Sequence, residues 1–129
     1  MVTSQVVVDA SAVVDLLLNN DRGARVASRV SRDRLIAPAH IDVEMLSAFA
    51  RMERAGELSA KDVVALLLDA QAITVERHLL AGLAAGAWAR HQSLRISDAF
   101  CVELADQLDV PLITTDLRLA PATPRAEAL

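Results

Sequence analysis

At 129 residues and a formal charge of −4, the chain is expected to form one domain over 1–129 and is too acidic to grip nucleic acid by net charge alone. Hydrophobic residues make up 53% of it but aromatics only 2%, so the core must be built from Val, Leu, Ile and Ala, and some apolar surface is expected to meet a partner. The longest apolar runs, such as VVALLL at 63–68, are far too short to span a bilayer, no charged, apolar, small-residue leader is apparent, and Cys101 is the single cysteine; a cytoplasmic chain without membrane segments, disulfides or a thiolate metal cluster is expected.

Taken in order, short β-type runs alternate with helical periods. Gln5 to Val8 reads as a first strand whose three successive valines mark it as buried on both faces. It leads into Asp9, which either caps the following helix or is one ligand of a metal site. Ser11 is expected to cap a helix reaching about Leu18, and Asp21 a second through about Val30 with Ala24, Ala27 and Val30 on one side. Arg22, Arg25, Arg29 and Arg32 stand at helical spacing and read as a solvated face, with a substrate-binding basic stripe as the alternative. Because Lys61 is the sole lysine among thirteen basic residues, any phosphate recognition would use the guanidinium fork.

Leu35 to Ala37 predicts a second strand ended by Pro38, and His40 to Ala55 a long helix with Ile41, Leu46, Phe49 and Ala50 inward and Gly56 as its stop. Ser59 is expected to cap AKDVVALLLDAQ, and Ile73 to Val75 to form a third strand. Leu79 to His91 reads as a helix, ISDAFCVELADQL as another stopped before Pro111, and Leu112 to Thr114 as a fourth strand. The tail APATPRAEAL shows no convincing fifth strand, so the sheet is expected to be short or frayed there, with a fifth strand left open. Strands separated by helices predict an α/β fold: three layers, α/β/α, around a parallel sheet of order 3-2-1-4 with right-handed crossovers.

In such a sheet all strands end on one edge, where the helices that follow them begin. Asp9 ends the first strand, Asp116 follows the fourth, Glu44 lies in the opening turns of the helix after the second, and Asp98 opens the helix leading to the fourth. All four should reach the same edge, with Asp9 and Asp116 flanking the switch point where open α/β sheets bind ligands. Like charges about 4 Å apart repel by around 4 kcal/mol at an effective dielectric near 20, so such a cluster calls for a cation. Oxygen-only ligands suit Mg²⁺ or Mn²⁺ rather than zinc. Ser11 and Thr114, each two residues from an acid, add hydroxyls to the site or orient a water. Phosphodiester hydrolysis is the matching chemistry. Singly, each acid has a plainer explanation: Ser97 and Asp98 as N-cap and first-turn acid, Asp116 as cap of the LRLA turn, Glu44 as an exposed helix residue. Asp15, Asp21, Asp42 and Glu103 are assigned to exteriors or caps, with Asp42 a spare for Glu44. His40, His78 and His91 are assigned structural roles, and Cys101 core packing.

The segments VVVDASAVVDLL, PAHIDVEMLSAFAR and RISDAFCVELADQLDVPLITTDLRLA, spread over nearly the whole chain, resemble a PIN domain of the VapC type. The resemblance implies a Mg²⁺-dependent endoribonuclease, the toxin of a toxin–antitoxin pair, dimeric, cleaving structured RNA such as tRNA or ribosomal RNA and silenced by a VapB-like antitoxin whose tail covers the active site. Asp9, Glu44, Asp98 and Asp116 match the family acids, and Ser11 and Thr114 its hydroxyls. A phosphatase of the haloacid-dehalogenase type would need an acid where Ser11 stands, and a response-regulator receiver a lysine after the last strand. The alternative from another class is a PIN-like module that binds RNA or a protein partner without catalysis. The VVALLL helix and the helix of Phe49 are the expected dimer surfaces.

Overall fold

The valine strand is the centre of the molecule. In the computed structural model, which describes residues 4–129, strand β1 (Gln5–Val8) holds Val6, Val7 and Val8 at no more than 1% exposure. Burying such a side chain is worth about 1.5–3 kcal/mol, so three in succession fix the strand between two apolar layers. The chain continues through α1 (Ala10–Leu18), α2 (Asp21–Val30), β2 (Arg34–Pro38), α3 (Ile41–Arg54), α4 (Ala60–Gln71), β3 (Val75–His78), α5 (Ala84–Ala89), α6 (Ile96–Leu108), β4 (Leu112–Thr114), a 3-10 turn (Leu117–Ala122) and β5 (Ala126–Ala128).

The five strands form one sheet, β3-β2-β1-β4-β5, in which every pair is parallel. Alternation across β1 divides the core. Val6 and Val8 face α1, α2 and α3 through Val13, Val26, Met45 and Phe49, whereas Val7 faces Cys101, Val102 and Leu104 of α6 and the buried Leu83. The three layers and the order 3-2-1-4 therefore stand as expected, with a fifth strand added. Val7 pairs with both Ile36 and Leu112, so the ends of β1, β2 and β4 lie on one edge.

Several local expectations are corrected. Asp9, not Ser11, is the N-cap of α1, and Asn20, not Asp21, caps α2 by accepting from the Gly23 N–H at 2.8 Å. Helix α3 turns Ile41, Met45 and Phe49 inward at a strict four-residue spacing, which leaves Leu46 48% exposed. Strand β3 begins at Val75, two residues after the expected start, and carries the polar run VERH, which an outer strand tolerates. The helix expected over 79–91 is reduced to Ala84–Ala89, because the chain first turns at Leu80–Leu83 to seat Leu83 in the core. Ser59 does cap α4, in a reciprocal capping box with Asp62. Gly56, at φ 76°, follows α3 in the left-handed conformation that glycine adopts without strain.

Strand β5 forms although its sequence is only AEA, pairing with β4 from Leu112↔Ala126 to Thr114↔Ala128. Arg29 of α2 holds it with a two-pronged pair to Glu127, at 2.7 and 3.0 Å. Arg125, just before it, reaches Asp106 and Asp109 at 2.7 and 2.6 Å. The arginine series of α2 is thus divided: Arg29 is structural, Arg25 and Arg32 are exposed, and Arg22 borders the cavity described next. Among the described residues no helix is long and apolar enough to cross a membrane.

Candidate active site

Asp9 is delivered to the carboxyl edge by β1 and is only 7% exposed. Its Oδ1 accepts from the Ser11 hydroxyl at 2.7 Å and from the Ala12 N–H at 3.0 Å, and its Oδ2 accepts from the Thr114 hydroxyl. The hydroxyl oxygens are themselves held by β4 and its exit, since Thr115 N–H donates to Ser11 Oγ at 3.1 Å and Asp116 N–H to Thr114 Oγ1 at 3.0 Å. A carboxylate offers roughly four acceptor sites, and three are used here. Asp9 is thus the cap of α1 and keeps one acceptor position over. Burial raises the Asp9 carboxyl above its ordinary value; the three hydrogen bonds pull the other way, and the charge of Asp98 adds to the rise.

Asp9 lines a cavity of about 490 Å³ together with Glu44, Asp98 and Asp116. Glu44 stands in the first turn of α3 and Asp98 in the first turn of α6, where the helix dipole favours acids. His40, just ahead of α3, ties these two helix starts together: its Nε2 lies 3.1 Å from the Ser97 carbonyl and 3.0 Å from its hydroxyl. Its Nδ1 is buried without a partner among the described residues. Ser97 is therefore a brace within α6, not the cap of that helix. Burial first, and then the charges of Asp9, Asp98 and Glu44, hold the Cys101 thiol well above its ordinary value.

Asp116 behaves differently. It caps the 3-10 turn through the Arg118 N–H at 3.0 Å, and its two oxygens take the Arg118 guanidinium at 3.1 and 2.9 Å, which lowers its pKa. Arg95 lies between the rim acids, 3.2 Å from Asp98 and 3.9 Å from Asp116. The four acids share the cavity without being drawn to a point: among the described residues no three acidic, histidine or cysteine side chains stand close enough to ligate one ion. The donor set is nonetheless that of a hard, oxygen-preferring cation. Carboxylate and hydroxyl oxygens dominate it, the Cys101 thiol is kept protonated, and His40 Nε2 is engaged by Ser97.

Asp15, assigned to the exterior from sequence, is a second buried carboxylate at 9% exposure. It accepts from the Thr115 hydroxyl at 2.6 Å and from Asn20 Nδ2 at 2.8 Å and borders the same cavity. A Cβ on Gly23 would stand 2.0 Å from the Asp15 carbonyl oxygen, so this glycine is what lets α2 close against α1 there. A signal was present: Ser11 and Asp15 are four apart and share a helix face, and Thr115 adjoins Thr114. Asp42 pairs with Arg77 at 2.7 Å instead of standing in for Glu44. Glu103 is half-buried, paired with Arg90. The cavity arginines Arg22, Arg51, Arg95 and Arg118 come from four different segments; only Arg22 was singled out from sequence.

Comparison with known proteins agrees with this architecture. The PIN domain family matches residues 6–122. The chain is 51% identical over 126 residues to Ribonuclease VapC3 of Mycobacterium tuberculosis, covering 97% of this chain and 92% of that one. It is 35% identical over 115 residues to Ribonuclease VapC12 of the same organism, with 89% of each chain covered. The crystal structure of PAE2754 from Pyrobaculum aerophilum shares the fold at a TM-score of 0.71 and 20% identity, over 98% of this chain and 92% of that one. With a strand order, an acid-lined carboxyl edge and relatives that agree along almost its whole length, this chain belongs to the PIN domain family, in its VapC group.

Proposed function

We propose that the chain, as one PIN domain over 1–129, is a Mg²⁺- or Mn²⁺-dependent endoribonuclease and the toxin of a VapBC-type pair, with Asp9, Glu44, Asp98 and Asp116 holding the metal. The observation that carries this reading is the buried Asp9, locked by Ser11, Ala12 and Thr114 with one acceptor position left over, facing three further carboxylates across a cavity. A buried charge with spare acceptor capacity and like-charged neighbours is unfavourable without a cation. The ribonuclease names of the VapC relatives supply the substrate class.

When bound, a divalent ion supplies charge neutralisation at the phosphate and an activated water. The chain's own part is preorganisation. Ser11 and Thr114 fix the orientation of Asp9 and, through their contacts with β4's exit, the position of Asp116. His40 and Ser97 fix the spacing of the helices that bring Glu44 and Asp98. A structured RNA such as tRNA or ribosomal RNA is the substrate that the resemblance to VapC toxins implies. The acid-lined cavity bordered by arginines suits a VapB-like antitoxin tail as the natural cover. Val43 and Leu46 of α3 and Val64 and Leu68 of α4 are 48–64% exposed, an apolar area on the two helices expected to meet a second copy, so a homodimer is part of the proposal.

Purified protein freed of antitoxin should cleave RNA in Mg²⁺ or Mn²⁺ and stop in EDTA. Mapping of RNA ends after brief expression of wild type and of Asp9→Asn identifies the target. Cleavage undiminished by chelation would overturn the metal-dependent mechanism, and identical end maps for the two proteins would overturn the assignment of Asp9.

A further inference from the structure

The arginines of this chain fall into two kinds. Arg29, Arg90 and Arg125 each bridge two acids and are 28–32% exposed at the side chain, so they tie elements together. Arg95 and Arg118 are 66% and 74% exposed, and their closest acids lie three and two residues away, on their own segments. Among the described residues Arg118 joins no distant element and Arg95 reaches one only at 3.9 Å, to Asp116, yet both line the cavity beside the Asp98 and Asp116 carboxylates. A local, exposed pair of this kind is weak and exchangeable.

We infer that Arg95 and Arg118 are exchangeable counter-ions of the site, neutralising Asp98 and Asp116 while no divalent ion is bound and turning to the phosphates flanking the cleaved bond of the RNA once one is. The inference rests on the metal-dependent reading of the four acids and adds to it a coupling between metal and substrate. Three observations support it. The Arg118 guanidinium occupies an acceptor position on each oxygen of Asp116, and the Arg118 N–H a third, so a metal there must compete with the guanidinium for these oxygens. Arg95 lies within 4 Å of both rim acids, so it has two partners to give up and, among the described residues, no third group holding it. Long, solvent-facing stems let both guanidiniums swing outward, where their planar forks match phosphate oxygens. A net charge of −4 makes the coupling useful, because RNA then meets free arginines at the mouth only after the acids behind them have been neutralised.

Competition of this kind has a definite sign. Removing an arginine that competes with the metal tightens metal binding, while removing one that grips phosphate weakens RNA binding and its salt dependence. The test is Mn²⁺ titration by calorimetry, without RNA, of wild type, Arg95→Gln, Arg118→Gln, the double variant, and Arg34→Gln as an exposed arginine paired with Glu76 away from the cavity. Mn²⁺ should bind about threefold tighter to each single site variant and about tenfold tighter to the double variant, with Arg34→Gln unchanged. In saturating Mn²⁺, kcat/KM on RNA should fall about tenfold or more in the double variant. Its log–log dependence on KCl should become shallower by about 1.4, two contacts at roughly 0.7 each for a single strand. Wild-type Mn²⁺ binding with equal or weaker affinity in the double variant overturns this inference alone, as does an unchanged salt slope. A wild type that binds no Mn²⁺ overturns the metal site and this inference with it.

Discussion

The floor and the rim of the cavity hold their acids by opposite means. At the floor, Asp9 is buried and fixed by two hydroxyls and a backbone N–H that belong to α1 and β4. At the rim, Asp98 and Asp116 lie at a helix start and in a 3-10 turn, each met by an exposed arginine. The pKa directions follow: burial raises Asp9, whereas the Arg118 hydrogen bonds lower Asp116. A rigid floor costs stability and gives geometry, while an exchangeable rim costs little and lets charge move. The difference assigns preorganisation to the sheet and adjustment to the loops, a division common to sites built on the edges of α/β sheets.

The largest effects should come from the acids. Asp9→Asn, Asp98→Asn and Asp116→Asn should each lower RNA cleavage by about a hundredfold or more, the scale seen when a charge-stabilising group is removed, with Glu44→Gln in the same direction. If rim substitutions were harmless and Asp9→Asn severe, the floor alone would be the site and the comparison would break. Thr114→Val cuts the link between the two regions, since Thr114 donates to Asp9 and accepts from the Asp116 N–H. A loss of about 1–3 kcal/mol in urea unfolding and about ten- to a hundredfold in cleavage is expected. Asp15→Asn should matter far less for cleavage, tenfold at most, because an amide oxygen in the place of Oδ2 still accepts from Thr115 and the residue acts through that contact. The smallest effect belongs to Arg29→Ala, which should leave cleavage unchanged and cost less than ~1 kcal/mol, seen as faster amide exchange in Ala126–Ala128.

What could be read from the sequence follows the same division. Hydrophobic runs report burial, so VVV, LIA and LIT place the central strands, and their parity sends Asp9, Glu44, Asp98 and Asp116 to one edge without coordinates. Strand β5 is held by backbone pairing with β4 and by Arg29 and Arg125, and no apolar run announces it. Strand β3 carries VERH because its outer edge faces water. Asp15 escaped because a carboxylate on an apolar helix reads as an exterior residue until its partner is known, and that partner lies 100 positions along the chain. The rim arginines escaped for the converse reason: nothing in RIS or DLR distinguishes an ordinary surface arginine from one placed beside a site acid.

The measurement closest to the central claim is thermal melting of wild type and Asp9→Asn in EDTA and in Mn²⁺ across pH. Because burial raises the Asp9 carboxyl, the folded state keeps a proton that the unfolded state releases above the ordinary carboxylate value of about 4. Wild-type stability therefore falls as pH rises from there to the raised folded value and stays lowered beyond it. Asn removes that loss while still accepting from Ala12. Asp9→Asn should melt higher than wild type in EDTA at neutral pH, with the advantage vanishing below about pH 4, and Mn²⁺ should raise wild type more than the variant by ligand linkage. A variant that melts lower than wild type in EDTA, with Mn²⁺ shifting neither protein, would show that Asp9 is a helix cap and that the acids around the cavity are not a metal site.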